Sequence, residues 1–456
     1  THYQTLVEAV PGSTLTLTID ANIQHWLESA LSAAVTEHHV AERGVGIVMD
    51  VHTGAVLAMS CQPDYDPNAP RTLINKEVRD AVNALTGEER SAALQKAQQA
   101  QWRNKAISDL YEPGSVFKLI TASAALDSGA CKATDYFTCA GKITVAGTRF
   151  RCANGHIHGT ETFARGLAVS CNPCFIQIGA RLGKERFCDY FAAFGLREAT
   201  GIDLPGEVEG IFANEDSFNS NVVSLAAYSF GQTFNVTPLE LIRAQAATIN
   251  GGYLYTPYLV EQVLDDEGNI LSQHETTAVR QVISEETSAK VRECLEWVVS
   301  DGGGRNGQVT GYRIGGKTGT ADKTGTKDVV VSFMCFAPAD DPQYIMLLTM
   351  DTPSRTTGTA VFGGTMVAPV ASQIMSEILP LLGVEPDYTA EELVGADTTV
   401  PNVVGQTREA AEDRLADLGF TFRTVGDGDT VTDQTPAGGA IVPGNASIIL
   451  YLGQER

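Results

Sequence analysis

Ser115 and Lys118 stand three residues apart in the stretch Tyr111-Glu112-Pro113-Gly114-Ser115-Val116-Phe117-Lys118. A serine hydroxyl becomes a nucleophile only when a base takes its proton. If Pro113-Gly114 turns the chain and a helix begins at Ser115, positions i and i+3 share a face, and the Lys118 amine reaches the Ser115 oxygen. An amine acts as a base only when neutral. Burial and nearby positive charge both lower its pKa, and Lys317 is the expected source of that charge. Two further groups follow in order: Ser170-Cys171-Asn172 and Lys317-Thr318-Gly319-Thr320. Ser170 is suited to relay a proton to a leaving amine, and Asn172 to hold Lys118 and a substrate amide. The Lys317 ammonium and Thr318 hydroxyl suit a carboxylate. Gly315, Gly316 and Gly319 would let a substrate backbone lie close, and the backbone N–H groups of Ser115 and Thr320 would form an oxyanion hole. The candidate catalytic set is therefore Ser115, Lys118, Ser170, Asn172 and Lys317, with Thr318, Gly319 and Thr320 binding substrate. Each group alone reads as an ordinary helix start or turn; the ordered three together point to acyl transfer through serine.

These groups need elements to hold them. Helical patterns run over 21–37, 115–128, 238–250 and 287–299, and strand-like runs over 44–60, 311–316, 329–337 and 345–351. Strands at both ends with helices between predict an α+β fold. Lys317-Thr318-Gly319 reads as an edge strand, with 329–336 as its pairing partner. A second Lys-Thr-Gly at Lys323-Thr324-Gly325 has no strand before it and reads as loop. Residues 69–100 are polar and helical, with no assignable chemistry.

With these motifs the chain resembles the class B penicillin-binding proteins, the monofunctional D,D-transpeptidases of bacterial cell walls. The likeness extends over nearly the whole sequence. Leu15–Asp20 with Ile23-Gln24, Gly46–Asp50 with Thr53–Met59, and Arg103–Ala106 all match it. So do Gly231-Gln232, Val236–Leu239, Asn250–Gly252 and Ser332-Phe333 with Phe336–Pro338. The resemblance implies an antiparallel sheet clasped by helices, with Ser115 at the cleft beside a helical subdomain. It implies stem peptides of the wall as substrates and β-lactam antibiotics as acylating mimics. A D,D-carboxypeptidase or a β-lactam sensor are the alternatives. It also implies an N-terminal membrane anchor lacking here, an extracytoplasmic location, wall-synthesis partner proteins, and a septal or spore-cortex role. The acyl chemistry requires no cofactor.

The tail is a separate unit, with 1–385 as the transpeptidase domain, 386–397 as linker and 398–456 as the last domain. A helix with acidic and basic faces runs over 408–418, Gly419 stands as its C-cap, and strands follow at 421–425 and 447–452 around a turn-rich 434–439. This part resembles a PASTA domain, small α/β, which docks to wall material or braces its neighbour, and it tilts the reading toward a Gram-positive bacterium.

Of the nine cysteines, 131, 139, 152, 171, 174 and 188 share one stretch. A hairpin over 143–150 turning at Ala146-Gly147 sets Cys139 diagonal to Cys152, so a disulfide there is one reading. Zinc is another, since His156 and His158 follow at once and three thiolates with one imidazole make a closed structural site. Free thiols are the third. The family resemblance implies Cys139, Cys152, His158 and Cys171 as the ligands, with Asp135 or His156 as substitutes. Cys171-Asn172-Pro173-Cys174 lacks the βαβ setting of a redox pair. Cys61, Cys131, Cys188, Cys294 and Cys335 read as buried small hydrophobes.

Across 456 residues, 43% hydrophobic and 19% charged content fits a globular chain with a large core. No apolar run is long enough to span a membrane. The 55 acidic against 32 basic residues leave a net charge of −23, which argues against nucleic acid as a partner.

Overall fold

The structure, a computed structural model, describes residues 12–389, 392–393, 397–444 and 446–453. Its centre is a five-stranded antiparallel sheet built from β1 (Arg43–Asp50), β2 (Val56–Gln62), β3 (Gly315–Asp322), β4 (Val329–Ala337) and β5 (Tyr344–Asp351). The order β3-β4-β5-β1-β2 leaves β3 at one edge. Every residue of β4 is buried, because helices cover both faces of the sheet. On one face lie α1 (Ala21–Glu37) and α7 (Ala368–Leu381), packed on one apolar cluster. On the other lie α2 (Lys118–Asp127), α4 (Asn172–Leu182), α5 (Pro238–Ile249) and α6 (Glu285–Ser300), around a second and larger cluster. The short α3 (Phe163–Ala168) precedes α4.

α1 shows how sequence sets this packing. Asp20 caps it by accepting from the N–H groups of Asn22 and Ile23. Ile23, Leu27, Ala30, Leu31, Ala34 and Val35 then recur at helical spacing and are the buried face. α5 begins with a capping box in which Thr237 and Glu240 satisfy each other's backbone N–H groups.

The run 44–60 forms strands as expected, β1 and β2 joined by a turn. The strand expected over 311–316 begins at Gly315 and runs to Asp322; 309–312 forms only an isolated bridge. Residues 69–100 hold two exposed helices, Lys76–Asn83 and Gly87–Trp102. Lys323-Thr324-Gly325 is loop, as expected.

In the tail, a helix over Arg408–Asp417 packs on a sheet of Thr421–Val425, Ser447–Gly453 and Thr430–Thr435, so the turn-rich segment begins inside a strand. This unit leans on α1 and α7. Arg423 bonds Glu377 at 2.6 Å and lies 5.4 Å over the Trp26 ring, and the Tyr451 hydroxyl donates to the Pro380 carbonyl. Of the linker expected over 386–397, residues 390, 391 and 394–396 lie outside the described residues; among the described ones the Asp387 N–H donates to Gly311 O at 2.7 Å and the Gly311 N–H to Glu392 at 3.0 Å.

Candidate active site

The nucleophile turn is a 3-10 turn, Gly114–Phe117, that passes into α2 at Lys118. An α-helix was expected from Ser115. In a 3-10 turn side chains at i and i+3 eclipse, so the tighter turn sets Lys118 directly beneath Ser115. Lys118 Nζ lies 3.0 Å from Ser115 Oγ. The same amine reaches Ser170 Oγ at 3.0 Å, Ser170 O at 2.7 Å and Asn172 Oδ1 at 2.7 Å. From the edge strand, Lys317 Nζ meets Ser170 Oγ at 3.0 Å. All five candidate catalytic side chains thus form one connected cluster. Ser115 is half-buried at its surface, and both lysines are fully buried.

The loop between α3 and α4 delivers Ser170 and Asn172. Ser170 N–H donates to Leu167 O and Cys171 N–H to Gly166 O, which folds the chain back tightly. Ser170 takes φ +57°, a left-handed conformation uncommon outside glycine. Pro173 in the first turn of α4 fixes the restart. Asn172 Nδ2 donates to Arg151 O at 3.0 Å, which ties the loop to the hairpin Lys142–Val145/Thr148–Arg151.

Burial lowers the Lys118 amine to about 8, while Cys171, Cys152, Cys174 and Glu161 pull the other way. Lys317 falls well below the ordinary lysine range, first by burial and then by the Lys118 charge. Burial, one of the two expected causes, is thus the first cause for both amines.

Thr318, Gly319 and Thr320 lie on β3 facing the nucleophile turn, where a Cβ on Gly319 would fall 2.4 Å from Ser332 Oγ and 3.0 Å from Val116. A Cβ on Gly315 would fall 2.1 Å from the Phe336 ring, and one on Gly316 2.6 Å from Met334 O. The protein's own packing already demands glycine at these positions. Gln245 was missed from sequence. Wholly buried on α5, it donates to Val116 O at 2.9 Å and so braces the turn. Its only signal was a polar residue within a mostly apolar helix.

The four predicted metal donors come together. One ligand atom each from Cys139, Cys152, His158 and Cys171 lies within 4.8 Å of all the others. A tetrahedral zinc with Zn–S of about 2.3 Å needs donor separations of roughly 3.5–3.8 Å, so small side-chain adjustments close the set. All nine thiols are free, and no bond joins Cys139 to Cys152. Hydrogen bonding with Cys171 holds the Cys152 thiol below its ordinary range, and the same contact together with burial pushes Cys171 above its own. The substitutes are excluded by position: Asp135 pairs with Arg181 at 3.0 Å, and the His156 ring stacks beside His158 outside the donor set. Among the remaining cysteines, Cys61 is half-buried rather than buried; the others are buried as expected.

Two families match the chain: "Penicillin binding protein transpeptidase domain" over residues 44–376 and "PASTA domain" over 398–454. "Stage V sporulation protein D" of Bacillus subtilis is 37% identical over 97% of this chain, which spans 66% of that protein's length, just under two thirds. "Probable peptidoglycan D,D-transpeptidase PenA" of Neisseria flavescens is 30% identical, covering 82% of this chain and 84% of that one. Among solved structures, penicillin-binding protein 3 of Mycobacterium tuberculosis complexed with aztreonam superposes with a TM-score of 0.71 at 26% identity, covering 85% of this chain and 83% of that one.

Proposed function

The chain belongs to the penicillin-binding protein transpeptidase family and carries a PASTA domain, and from that premise we propose that it is a serine D,D-transpeptidase that cross-links wall stem peptides. The observation that carries the reading is the buried Lys118 amine 3.0 Å from both the Ser115 and Ser170 hydroxyls. Neutral Lys118 takes the Ser115 proton, and Ser115 Oγ attacks the carbonyl between the last two D-alanines. Ser115 sits in the first helical turn, where N–H groups lack intrahelical acceptors. Its N–H and that of Thr320 bind the oxyanion. Ser170, bonded to both lysines, passes a proton to the departing D-alanine amine. The terminal carboxylate meets Lys317 and Thr318, and its arrival favours the Lys317 ammonium that burial alone disfavours. The amine of a second stem peptide then attacks the acyl-serine and completes the cross-link. β-Lactams acylate the same serine.

Zinc held by Cys139, Cys152, His158 and Cys171 would supply structural support only, since four protein donors leave no open position. Cys171 lies between Ser170 and Asn172, so this set fixes the loop that carries them.

The assignment of 1–385 to the transpeptidase domain, 386–397 to the linker and 398–456 to PASTA is supported by the two matched spans. Among the described residues no helix is long and apolar enough to cross a membrane. The full-length protein is proposed to be anchored by a preceding segment at the extracytoplasmic face of a Gram-positive cell, with other wall-synthesis proteins. Likeness to "Stage V sporulation protein D" favours a spore-cortex role over a septal one.

The test is to incubate the chain with pentapeptide stem and follow D-alanine release and cross-linked dimer by mass spectrometry. Dimer formation that is lost in Ser115→Ala supports transpeptidation. D-alanine release with no dimer at any acceptor concentration would make it a carboxypeptidase.

A further inference from the structure

The second Lys-Thr-Gly, Lys323-Thr324-Gly325, stands outside the catalytic cluster, yet it is tied to both elements that frame Ser115. It follows β3 directly and opens the turn to β4, which the Lys323 N–H closes by donating to Asp328 O at 2.9 Å. The Thr324 hydroxyl donates to Glu112 at 3.2 Å, and Glu112 stands three residues before Ser115. Lys323 Nζ meets Asp351 Oδ1 at 2.8 Å and the Thr352 hydroxyl at 3.2 Å. The other Asp351 oxygen meets Arg43 at 3.2 Å, and the same Arg43 nitrogen meets Asp109 at 3.0 Å. This chain of charges starts at the end of β3 and crosses from the last residue of β5 to the first of β1. It ends on the segment that leads into the nucleophile turn.

A second observation shows what these ties resist. β3 and the nucleophile turn pack side against side, so that a Cβ on Gly114 would fall 2.8 Å from Ala321 Cβ. Contact limits how near they come, but among the described residues no backbone hydrogen bond joins 111–117 to β3. On one side the catalytic side chains bridge the two, through Lys317, Ser170 and Lys118 to Ser115. On the other side, among the described residues, the polar bridges are the Thr324–Glu112 bond and the Lys323–Asp351–Arg43–Asp109 chain. The side chains of Arg43, Asp109 and Asp351 are 12%, 8% and 5% exposed, so salt and water screen their pairing little.

We propose that Lys323 and Thr324 are positioning residues, a clamp that holds the two halves of the oxyanion hole at their working separation. The proposal rests on the transpeptidase reading, which puts those halves on the Ser115 N–H, in the turn, and the Thr320 N–H, on β3. Donors serve an oxyanion only within about 2.7–3.1 Å of the place it will occupy. These two sit on different elements, so the gap between the elements sets the width of the hole. With the clamp released, β3 is free to move away at its Asp322 end, while Lys317 stays held at the other by Ser170. Thr320 lies between the two ends. Stabilisation of the oxyanion therefore suffers, and binding of the carboxylate at Lys317 and Thr318 does not.

The experiment uses the whole chain, a labelled penicillin, and two donors that differ in one atom: an acyl-D-alanine ester and its thionoester, in which sulfur replaces the carbonyl oxygen. Sulfur is larger and accepts hydrogen bonds more weakly, so a hole held at its proper width prefers the oxygen compound, and a widened one prefers it less. The test variant is Lys323→Met/Thr324→Val, which changes only side chains at the surface of the turn and leaves the Arg43 pairs in place. Its first-order acylation constant at saturating penicillin should fall about tenfold, with the dissociation constant of the preceding complex within about twofold of the unsubstituted chain. The oxygen-to-sulfur ratio in kcat/KM should drop by about fivefold or more. Because that ratio compares two donors on one preparation, loss of active protein does not alter it. Lys323→Arg/Thr324→Ser keeps the charge and the hydroxyl and should behave as the unsubstituted chain. Unchanged acylation in Lys323→Met/Thr324→Val overturns the proposal. So does slower acylation with the oxygen preference intact, which is general damage to the fold, and so does a loss that the conservative pair shares. If neither donor nor penicillin acylates Ser115 in the unsubstituted chain, the transpeptidase reading itself fails, and the proposal falls with it.

Discussion

Gly231→Ala should disable the nucleophile without touching any reacting atom. Gly231 O accepts the Gly114 N–H at 2.8 Å, so this residue underlies the turn that presents Ser115. It takes φ +85°, and a Cβ placed on it would fall 2.1 Å from Gly114 O and 2.8 Å from Phe117 Cβ. A left-handed alanine costs about 1–2 kcal/mol. Relieving an overlap of roughly 1 Å in a packed interior costs about 1–3 kcal/mol more. The expected loss of stability is therefore about 2–5 kcal/mol. The relief must move Gly114 and, with it, Ser115. A misplacement of about 1 Å costs on the order of 10² in rate, so the second-order acylation constant should fall about a hundredfold. Labelled penicillin measured by stopped flow gives that constant, and thermal melting gives the stability. Gly129→Ala is the control. Gly129 has φ +69° with nothing within 4 Å of its Cβ, so it should lose only about 1–2 kcal/mol and acylate as before. Wild-type acylation by Gly231→Ala would refute the argument.

With Lys118 at about 8, its neutral fraction rises as pH passes upward through that value. Acylation should therefore increase about tenfold from pH 7 to pH 9 and then level off; a flat profile would remove Lys118 as the base. Cys171→Ser should lower bound zinc from one equivalent per chain, reduce the melting temperature, and slow acylation on the order of tenfold. Unchanged melting and acylation would end the metal proposal. Arg423→Ala removes the contacts to Glu377 and Trp26 and should cost about 1 kcal/mol by melting, with no change in acylation.

The residues proposed for the chemistry could be picked out of the chain, and they do come together, because proton transfer restricts which side chains serve and how far apart they stand on a turn. The long buried strand β4 and the helix α1 were legible for a related reason, since burial on two faces or on one stripe leaves its period in the chain. What escaped depends on partners far away in sequence. The start of β3 was misplaced because its glycines interrupt the strand pattern, and the rings and carbonyls that require them lie on β4. Gln245 braces Val116 across 129 residues. The family resemblance named the set Cys139, Cys152, His158 and Cys171, and the four come together; what the chain alone left open, His158 against His156 and Cys139 against Asp135, is decided by side-chain direction. The 3-10 turn at Ser115 escaped because i, i+3 spacing is shared by both helix types.

The central claim is that Ser115, activated by Lys118, is the acylated residue. Intact mass after incubation with a labelled penicillin tests it directly, with Ser115→Ala and Lys118→Ala alongside. The account predicts a single stable adduct on the unsubstituted chain, mapped to the peptide containing Ser115, and none on either variant. An adduct of equal extent on Ser115→Ala would contradict it.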